Sequence, residues 1–304
     1  MPIRRKMHLA GMLALSALLT AAAYAAMPLG ARTAALISDE EDDDGSSGVL
    51  DPEEGGPGYA FSSGGRSFAS INAALEAAGD GGKVSLLRDV SLADRIDLDA
   101  DAVFDLNGWT LSSSARWLVN VGDNALVVSN GCVVASDCGF YVNDGSLRLE
   151  KCDVTASRRV AQIRGAGTVH VAKDARLETT GEDPVVFAIG GIAGSATVES
   201  FGTLVQSFSD GEETTAYDIA GNPDDTFGAD FTLAGRSGVY FAMSSDACVH
   251  HPEGQGGDVS ISGGWFSIRP PDEWLAPGFR SRAQSLDGWE GWLVFLRTFS
   301  IRIR

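Results

Sequence analysis

Residues 126–154 read LVVSNGCVVASDCGFYVNDGSLRLEKCDV. Leu126 and Val128 are followed by Asn130-Gly131 and then by Cys132 and Val134; Leu147, Leu149, Cys152 and Val154 restate the figure 21 residues later. Each half alternates apolar with polar or small residues, the period of a strand with one face inward and the other outward. The gap between the halves holds turn-forming residues. Working outward, the same figure stands at Val84/Leu86/Val90/Leu92, Phe104/Leu106/Trp109/Leu111 and Val169/Val171/Ala175/Leu177. It recurs at Ala196/Val198/Gly202/Leu204, Phe231/Leu233/Ser237/Val239 and Val259/Ile261/Gly264/Phe266. Successive starts are 20, 22, 21, 22, 27, 35 and 28 residues apart. A near-constant period followed by lengthening is what insertions into a fixed repeating unit produce.

Most copies carry a third apolar patch: Leu118-Val119-Val121, Phe140-Val142, Val160-Ile163, Val186-Ile189 and Tyr217-Ile219. Three short strands in a turn of about 20 residues describe one coil of a parallel β-helix. A doubly wound sheet is excluded, because parallel strands of that kind need a crossover helix between them. The expected fold is all-β: a single-stranded right-handed parallel β-helix of about eight coils with an N-terminal capping helix. Phe68, Ile71, Ala74, Leu75 and Ala78 have helical spacing between Ser67 and the breaker Gly79-Asp80-Gly81-Gly82, which predicts about three helical turns over the first coil. At the other end Trp274, Leu275, Phe279, Trp289, Trp292 and Val294 are expected to close the last coil. The equivalent places of Cys132 and Cys152 predict that these side chains stack at one strand spacing. Buried free thiols and a disulfide are both compatible with that placement.

Two segments carry a family resemblance. SFASINAALEAAGDGGKVSLLRDVSL (67–92) with IDLDADAVFDLNGWTLSS (96–113) resembles the start of pectin-lyase-like right-handed β-helix domains of bacterial exported and cell-surface, adhesin-like proteins. VSISGGWFSIRPPDEWLAPGF (259–279) with GWEGWLV (288–294) resembles their closing motif. The resemblance spans residues 67–295 and implies architecture. It also raises an enzymatic alternative, since polysaccharide lyases and glycoside hydrolases share this fold.

The chain has 304 residues, net charge −18, 44% hydrophobic and 21% charged residues, and 37 glycines. A charge of that sign excludes duplex nucleic acid as an expected partner. Arg4, Arg5 and Lys6, the apolar run Leu9–Ala23 and Ala23-Tyr24-Ala25 have the order of a secretory signal peptide, so residues 1–25 are expected to be removed on export, the alternative being an uncleaved span because the chain stays mostly apolar through Leu29. No second membrane span is expected. No lipid-acceptor cysteine follows the apolar run and no LPxTG-type signal is found, so neither a lipoprotein anchor nor wall anchoring of that type is supported, and the anchoring route stays open. Residues 37–58, ISDEEDDDGSSGVLDPEEGGPG, hold nine acids and almost nothing apolar, and so 26–58 is read as an acidic disordered linker before a β-helix domain over 59–304.

Catalytic chemistry on a glycosidic bond needs converging carboxylates. The best pair is Asp224-Asp225 in Asn222-Pro223-Asp224-Asp225, a sequence that is equally an ordinary turn. Asp97, Asp99 and Asp101 have the spacing of the first positions of a calcium loop, but Ala102 stands at the sixth and Gly108 at the twelfth. Cys248, His250 and His251, with Asp246 and Glu253, are weak zinc-ligand candidates lacking a second paired element. His170, between Val169 and Val171, is expected to face outward. Trp109 and Trp265 are aromatics of undecided facing. No cofactor fingerprint is present. The expected role is that of a non-catalytic, secreted or surface-exposed adhesin-like module. Its expected partners are glycans or host surface proteins, met through the loops 206–230 and 242–258.

Overall fold

The structure, a computed structural model, describes residues 58–181, 185–189, 195–206, 217–219, 230–235, 238–242, 247–251 and 257–297. The expected leader and linker lie outside them, except for Gly58. The described chain winds as a parallel β-solenoid with three sides. The first side stacks Gly82–Leu86, Ala102–Asp105, the first halves of Ala125–Ala135 and Ser146–Ala156, then Thr168–Val171, Ser195–Ser200, Asp230–Ala234 and Val259–Ser262. The second side stacks Val90–Leu92, Thr110–Ser113, the second halves of the two long strands, Arg176–Thr179, Thr203–Gln206, Val239–Ala242 and Gly264–Phe266. The third side is a seven-stranded sheet of Ile96–Asp97, Trp117–Gly122, Cys138–Asn143, Arg159–Arg164, Val185–Ile189, Tyr217–Ile219 and Val249–His250. Seven rungs on that side make about six turns, slightly fewer than the expected eight. The last repeat supplies no third strand, because the chain turns there into the closing hairpin.

Inward side chains stack in columns at the strand spacing of ~4.8 Å. Val84, Phe104, Val128, Leu149 and Val171 are in direct register on the first side, and all are buried. Leu111, Val133, Val154, Leu177, Leu204, Tyr240 and Phe266 form the second-side column. Buried Tyr240 keeps its hydroxyl satisfied by donating to the Ser200 carbonyl at 3.4 Å. The second-side column corrects the expected register in two repeats. Val133 and Ala135, rather than Cys132 and Val134, point inward, and Val134 is 43% exposed. Tyr240, rather than Val239, fills the same place further on. Cys132 therefore does not stack on Cys152: it pairs with Asp153, while Cys152 pairs with Gly131. The cause is the corner, whose length of two or three residues sets the parity of the next strand.

That corner requires left-handed backbone. Asn107, Asn130 and Lys151 have φ of 51°, 60° and 46°. Asn tolerates this region better than other residues. Gly131 follows because a Cβ there would lie 2.5 Å from the Leu106 Cβ and from the Trp109 carbonyl oxygen. Carboxylates pin the corners from coil to coil. Asp101 Oδ1 accepts the Ala125 N–H at 2.8 Å, Asp144 Oδ1 that of Ala166 at 2.8 Å, Asp89 Oδ1 that of Thr110 at 2.7 Å, and Asp230 Oδ1 that of Asp258 at 2.9 Å. Asp105 Oδ1 accepts the Asn107 N–H and Asn130 Nδ2, both at 3.1 Å, while Lys83 approaches Oδ2 at 2.5 Å.

Both ends carry the expected capping elements, with a difference in the helix. The helix is Ile71–Ala78, about two turns, and its N-cap is Ser70, whose hydroxyl accepts from the Ala73 N–H at 3.3 Å. Phe68 belongs instead to a strand, Arg66–Phe68, which forms a hairpin with Phe61–Ser63. Pairing of that hairpin shortens the helix. Phe61–Ser63 then caps the first side by pairing antiparallel with Gly82–Leu86. At the far end Trp292–Leu296 pairs antiparallel with Gly264–Phe266 and with Phe279–Ala283. Val294 is buried, and Trp274, Leu275 and Phe279 pack on the core. Among the described residues no helix is long and apolar enough to cross a membrane.

Two outcomes test this construction. Leu149→Asp buries an unpaired carboxylate between Val128 and Val171 at a cost of several kcal/mol, so loss of the cooperative melt is expected by circular dichroism; Leu149→Met, which conserves volume, is expected to cost below ~1.5 kcal/mol. A soluble Asp variant with a normal melt would place Leu149 outside the core. The second concerns acid. Burial pushes the Asp105 carboxyl up, but the hydrogen bonds from Lys83, Asn130 and the Asn107 N–H outweigh it and leave the group below the usual carboxylate range. A group more acidic in the folded state stabilises above its unfolded pKa, and that contribution is lost as pH falls through the folded value. Asp105→Asn is expected to lower neutral-pH stability by about 1–3 kcal/mol. Acid titration from about pH 5 to about pH 2 should narrow its difference from the parent.

Candidate functional site

The outer surface of the seven-stranded sheet carries a ladder set by register. Asp97 pairs with Asn120, Asn120 with Tyr141, Tyr141 with Gln162, and Gln162 with Ala188. Asp218 and His250 occupy the following two places by backbone register. The residues on either side in sequence, Val119 and Val121, Phe140 and Val142, Ala161 and Ile163, are buried. Strand alternation therefore turns Asn120, Tyr141 and Gln162 outward, where each is half-buried. Asn143 and Arg164 stand beside each other in the neighbouring ladder, and Trp117 heads a third.

These side chains hold one another in place. The Trp117 and Tyr141 rings meet edge to face with centroids 5.5 Å apart and planes at 65°. Arg164 Nη1 donates to the Tyr141 hydroxyl at 2.8 Å, with its guanidinium 5.9 Å from that ring's centroid. Arg159 Nη1 donates to Gln162 Oε1 at 3.1 Å. At the N-terminal end of the face Asn120 Nδ2 donates to Asp97 Oδ1 at 2.7 Å, and Arg95 Nη2 lies 2.8 Å from the same oxygen. The hydrogen bond from Asn120, assisted by Arg95, keeps the Asp97 carboxyl below the usual range in spite of its slight burial. Asp97 is thereby an acceptor and a poor general acid.

The face differs electrostatically from the whole chain. Arg116, Asp137 and Arg158 follow one another at the leading corner of successive coils, joined by Cys138 N–H to Arg116 O at 3.0 Å and Arg158 N–H to Asp137 O at 2.8 Å. With Arg159 and Arg164 the middle coils bring four guanidiniums to this side, against the carboxylates of Asp123, Asp137 and Asp144 at its corners. Screening over ~8 Å at physiological salt makes these local charges, not the distant acids, decide what is held there. Planar aromatics, amide groups and guanidiniums side by side suit a ligand with apolar C–H faces and rim hydroxyls or anionic groups.

The residues singled out from sequence do not gather here. Asp224 and Asp225 lie outside the described residues, as do Asp246 and Glu253 and most of the loops 206–230 and 242–258. Cys248 is buried, its thiol directed to the Tyr240 carbonyl at 3.6 Å and the Ser267 hydroxyl at 3.5 Å. His250 lies in strand Val249–His250. His251 is half-buried beside Trp274, ring centroids 6.4 Å apart. Among the described residues no group of three His, Cys, Asp or Glu side chains is arranged to hold a metal ion. Asp97, Asp99 and Asp101 do not converge: Asp97 serves the ladder, Asp101 pins a corner, and Asp99 is exposed. His170 faces outward, its Nδ1 2.9 Å from Glu199 Oε2. Trp109 is 40% exposed and Trp265 is buried.

Tyr141, Asn120, Gln162, Trp117 and Arg164 were not singled out. A signal for three of them was available, since Asn120, Tyr141 and Gln162 each immediately precede the last apolar residue of a third patch. Comparison of the chain with protein-family models, with curated proteins and with solved structures returns no match.

The four cysteines are free, and three are buried. Burial, with the neighbouring Asp137 carboxylate, pushes the Cys138 thiol up to about 12, and burial with Asp153 pushes Cys152 up to about 12. Burial also raises Cys132, less strongly. Alkylation of the native protein at mildly alkaline pH is expected to be slow and to begin at half-buried Cys132; the others should react only after denaturation, as read by mass spectrometry. Rapid labelling of Cys152 in the native state would contradict its inward placement.

Proposed function

We propose that the protein is an exported, non-catalytic, adhesin-like module of pectin-lyase-like β-helix architecture that holds glycans on the outer face of its seven-stranded sheet. One observation carries the reading: the Trp117–Tyr141–Arg164 cluster, flanked by the amides of Asn120, Asn143 and Gln162, on a rigid surface with a ~4.8 Å repeat. A pyranose ring lays its C–H face on an aromatic ring while its hydroxyls exchange hydrogen bonds with amides and guanidiniums. The sheet supplies both groups already ordered, so little side-chain entropy is lost on binding. The local guanidiniums favour saccharides bearing carboxylate or sulfate groups, although the net charge of the whole chain slows the approach of polyanions. Export rests on the order of charges, apolar run and small residues at the N-terminus. The non-catalytic reading rests on the ladder from Asp97 to Gln162, where Asp97 is the one carboxylate and is held ionised, whereas glycoside hydrolysis requires two carboxylates in different protonation states.

A glycan array is the test, with neutral and acidic saccharides and with the parent, Trp117→Ala and Tyr141→Ala proteins side by side. Binding by the parent and at least a tenfold loss in each variant, about 1.4 kcal/mol or more, is expected with melting temperatures little changed. Reducing-end and unsaturated-product assays on the bound saccharides are expected to stay flat with and without Ca²⁺. Turnover abolished by Asp224→Asn with Asp225→Asn would turn the reading into that of a carbohydrate-active enzyme. Binding indifferent to Trp117 and Tyr141 but lost on shortening the 242–258 loop would move the contact to the loops.

A further inference from the structure

Among the described residues the first coil is capped on its first side and not on its second. The helix and the Phe61–Ser63 strand cover the first side, but Val90–Leu92, the first rung of the second side, is paired among the described residues with Thr110–Ser113 alone. Its inward residues Val90 and Leu92 are only half-buried, whereas Leu111, Val133, Val154, Leu177 and Leu204 in the column below are at most 1% exposed. A groove of about 480 Å³ runs beside this strand, between it and the start of the helix at Ile71 and Asn72. The end of the solenoid around it is acidic: Glu76, Asp80, Asp89, Asp94, Asp99 and Asp101 are exposed there and outnumber Lys83, Arg88 and Arg95. An open, apolar-lined strand edge is a template for one more strand.

The sequence contains a segment whose alternation matches that edge. Residues 299–304, following the described closing hairpin, read Phe-Ser-Ile-Arg-Ile-Arg. Phe299, Ile301 and Ile303 alternate with Ser300, Arg302 and Arg304, the period-two pattern of every other rung, with cations in the outward places. The solenoid's own edge is out of reach. Val90–Leu92 and Trp292–Leu296 are separated by eight successive strand pairings along the second side, about 38 Å at the ladder spacing. Two residues beyond Arg297 extend only about 7 Å.

We propose that residues 299–304 of one copy add as a strand to the Val90–Leu92 edge of a second copy, joining molecules head to tail. Phe299, Ile301 and Ile303 then cover Val90 and Leu92, and Arg302 and Arg304 meet the acidic rim. The contact is heterologous, so repetition builds an open linear array instead of a closed dimer. One short strand buries less area than a stable interface, so the association is weak and depends on protein concentration and salt.

Sedimentation equilibrium of the full chain over micromolar to millimolar concentrations is the first experiment. Concentration-dependent mass above the monomer is expected for the parent, reduced by added salt, and a monomer for the Ile301→Asp, Ile303→Asp protein with an unchanged melting temperature. The second experiment fixes the register. Ser91→Cys in one preparation and Arg302→Cys in another should form a mixed disulfide dimer on gentle oxidation, whereas Arg302→Cys with Ser260→Cys should not. A parent that stays monomeric throughout overturns the proposal. So does association that survives Ile301→Asp, Ile303→Asp, or a mixed disulfide that forms equally well at Ser260.

Discussion

Every inward side chain in this solenoid is buried by the coil above it, the coil below it and the facing sides of its own coil. That nearest-neighbour constraint governs the rest of the structure. It lets Leu149 be fully buried, because Val128 and Val171 lie one strand spacing away on either side. It also makes the two ends unlike the middle, since the first and last coils lack one neighbour. The helix Ile71–Ala78, the Phe61–Ser63 strand and the closing hairpin of Phe279–Ala283 and Trp292–Leu296 are answers to that deficit. Val90 and Leu92, half-buried at the head of a column that is otherwise dry, show where the answer is incomplete.

The same constraint accounts for much of the acidity. A coil that must change direction three times exposes backbone N–H groups at each corner, and each needs an acceptor. Asp89, Asp101, Asp144 and Asp230 supply it to the next coil and Asp105 to Asn107 of its own corner, and a carboxylate forms a stronger hydrogen bond than an amide or hydroxyl would. A net charge of −18 thus arises in part from structural pins, and acid-rich stretches of this chain are weak indicators of metal or catalytic sites. The spacing of Asp97, Asp99 and Asp101 is explained by two such local duties and one exposed residue.

How legible all this was in the sequence follows from what each feature depends on. The coil period, the three sides, the Val128–Leu149–Val171 column and the capped ends rest on alternation and spacing, and those are written directly in the chain. The parity of the second side is not, because one residue more or less in a left-handed corner turns every following side chain over. Asn130-Gly131 identifies the corner without fixing its length, and so Cys132 and Val134 were read inward where Val133 and Ala135 belong. The helix was read a turn too long because Phe68 fits its period, although hairpin pairing holds Phe68 in a strand. The ladder of Asn120, Tyr141 and Gln162 was harder to see. Polar and aromatic residues between apolar ones look like ordinary solvent-facing positions until the coils are stacked and the same place recurs above itself.

The surfaces proposed for glycan and for self-association lie on different sides of the solenoid, and the two contacts would support each other energetically. The ladder crosses successive coils on the third side, whereas the open edge is the first rung of the second. A joint at that edge would leave the ladder uncovered. Each contact taken alone is weak: an aromatic and a few amides for a saccharide, one strand for a neighbouring molecule. A repeating glycan bound to two joined copies engages the second site at a high effective concentration, and the binding free energy then favours the joint itself. Weakness at both contacts is what makes this coupling useful, because a joint that was already stable alone would leave the glycan nothing to shift.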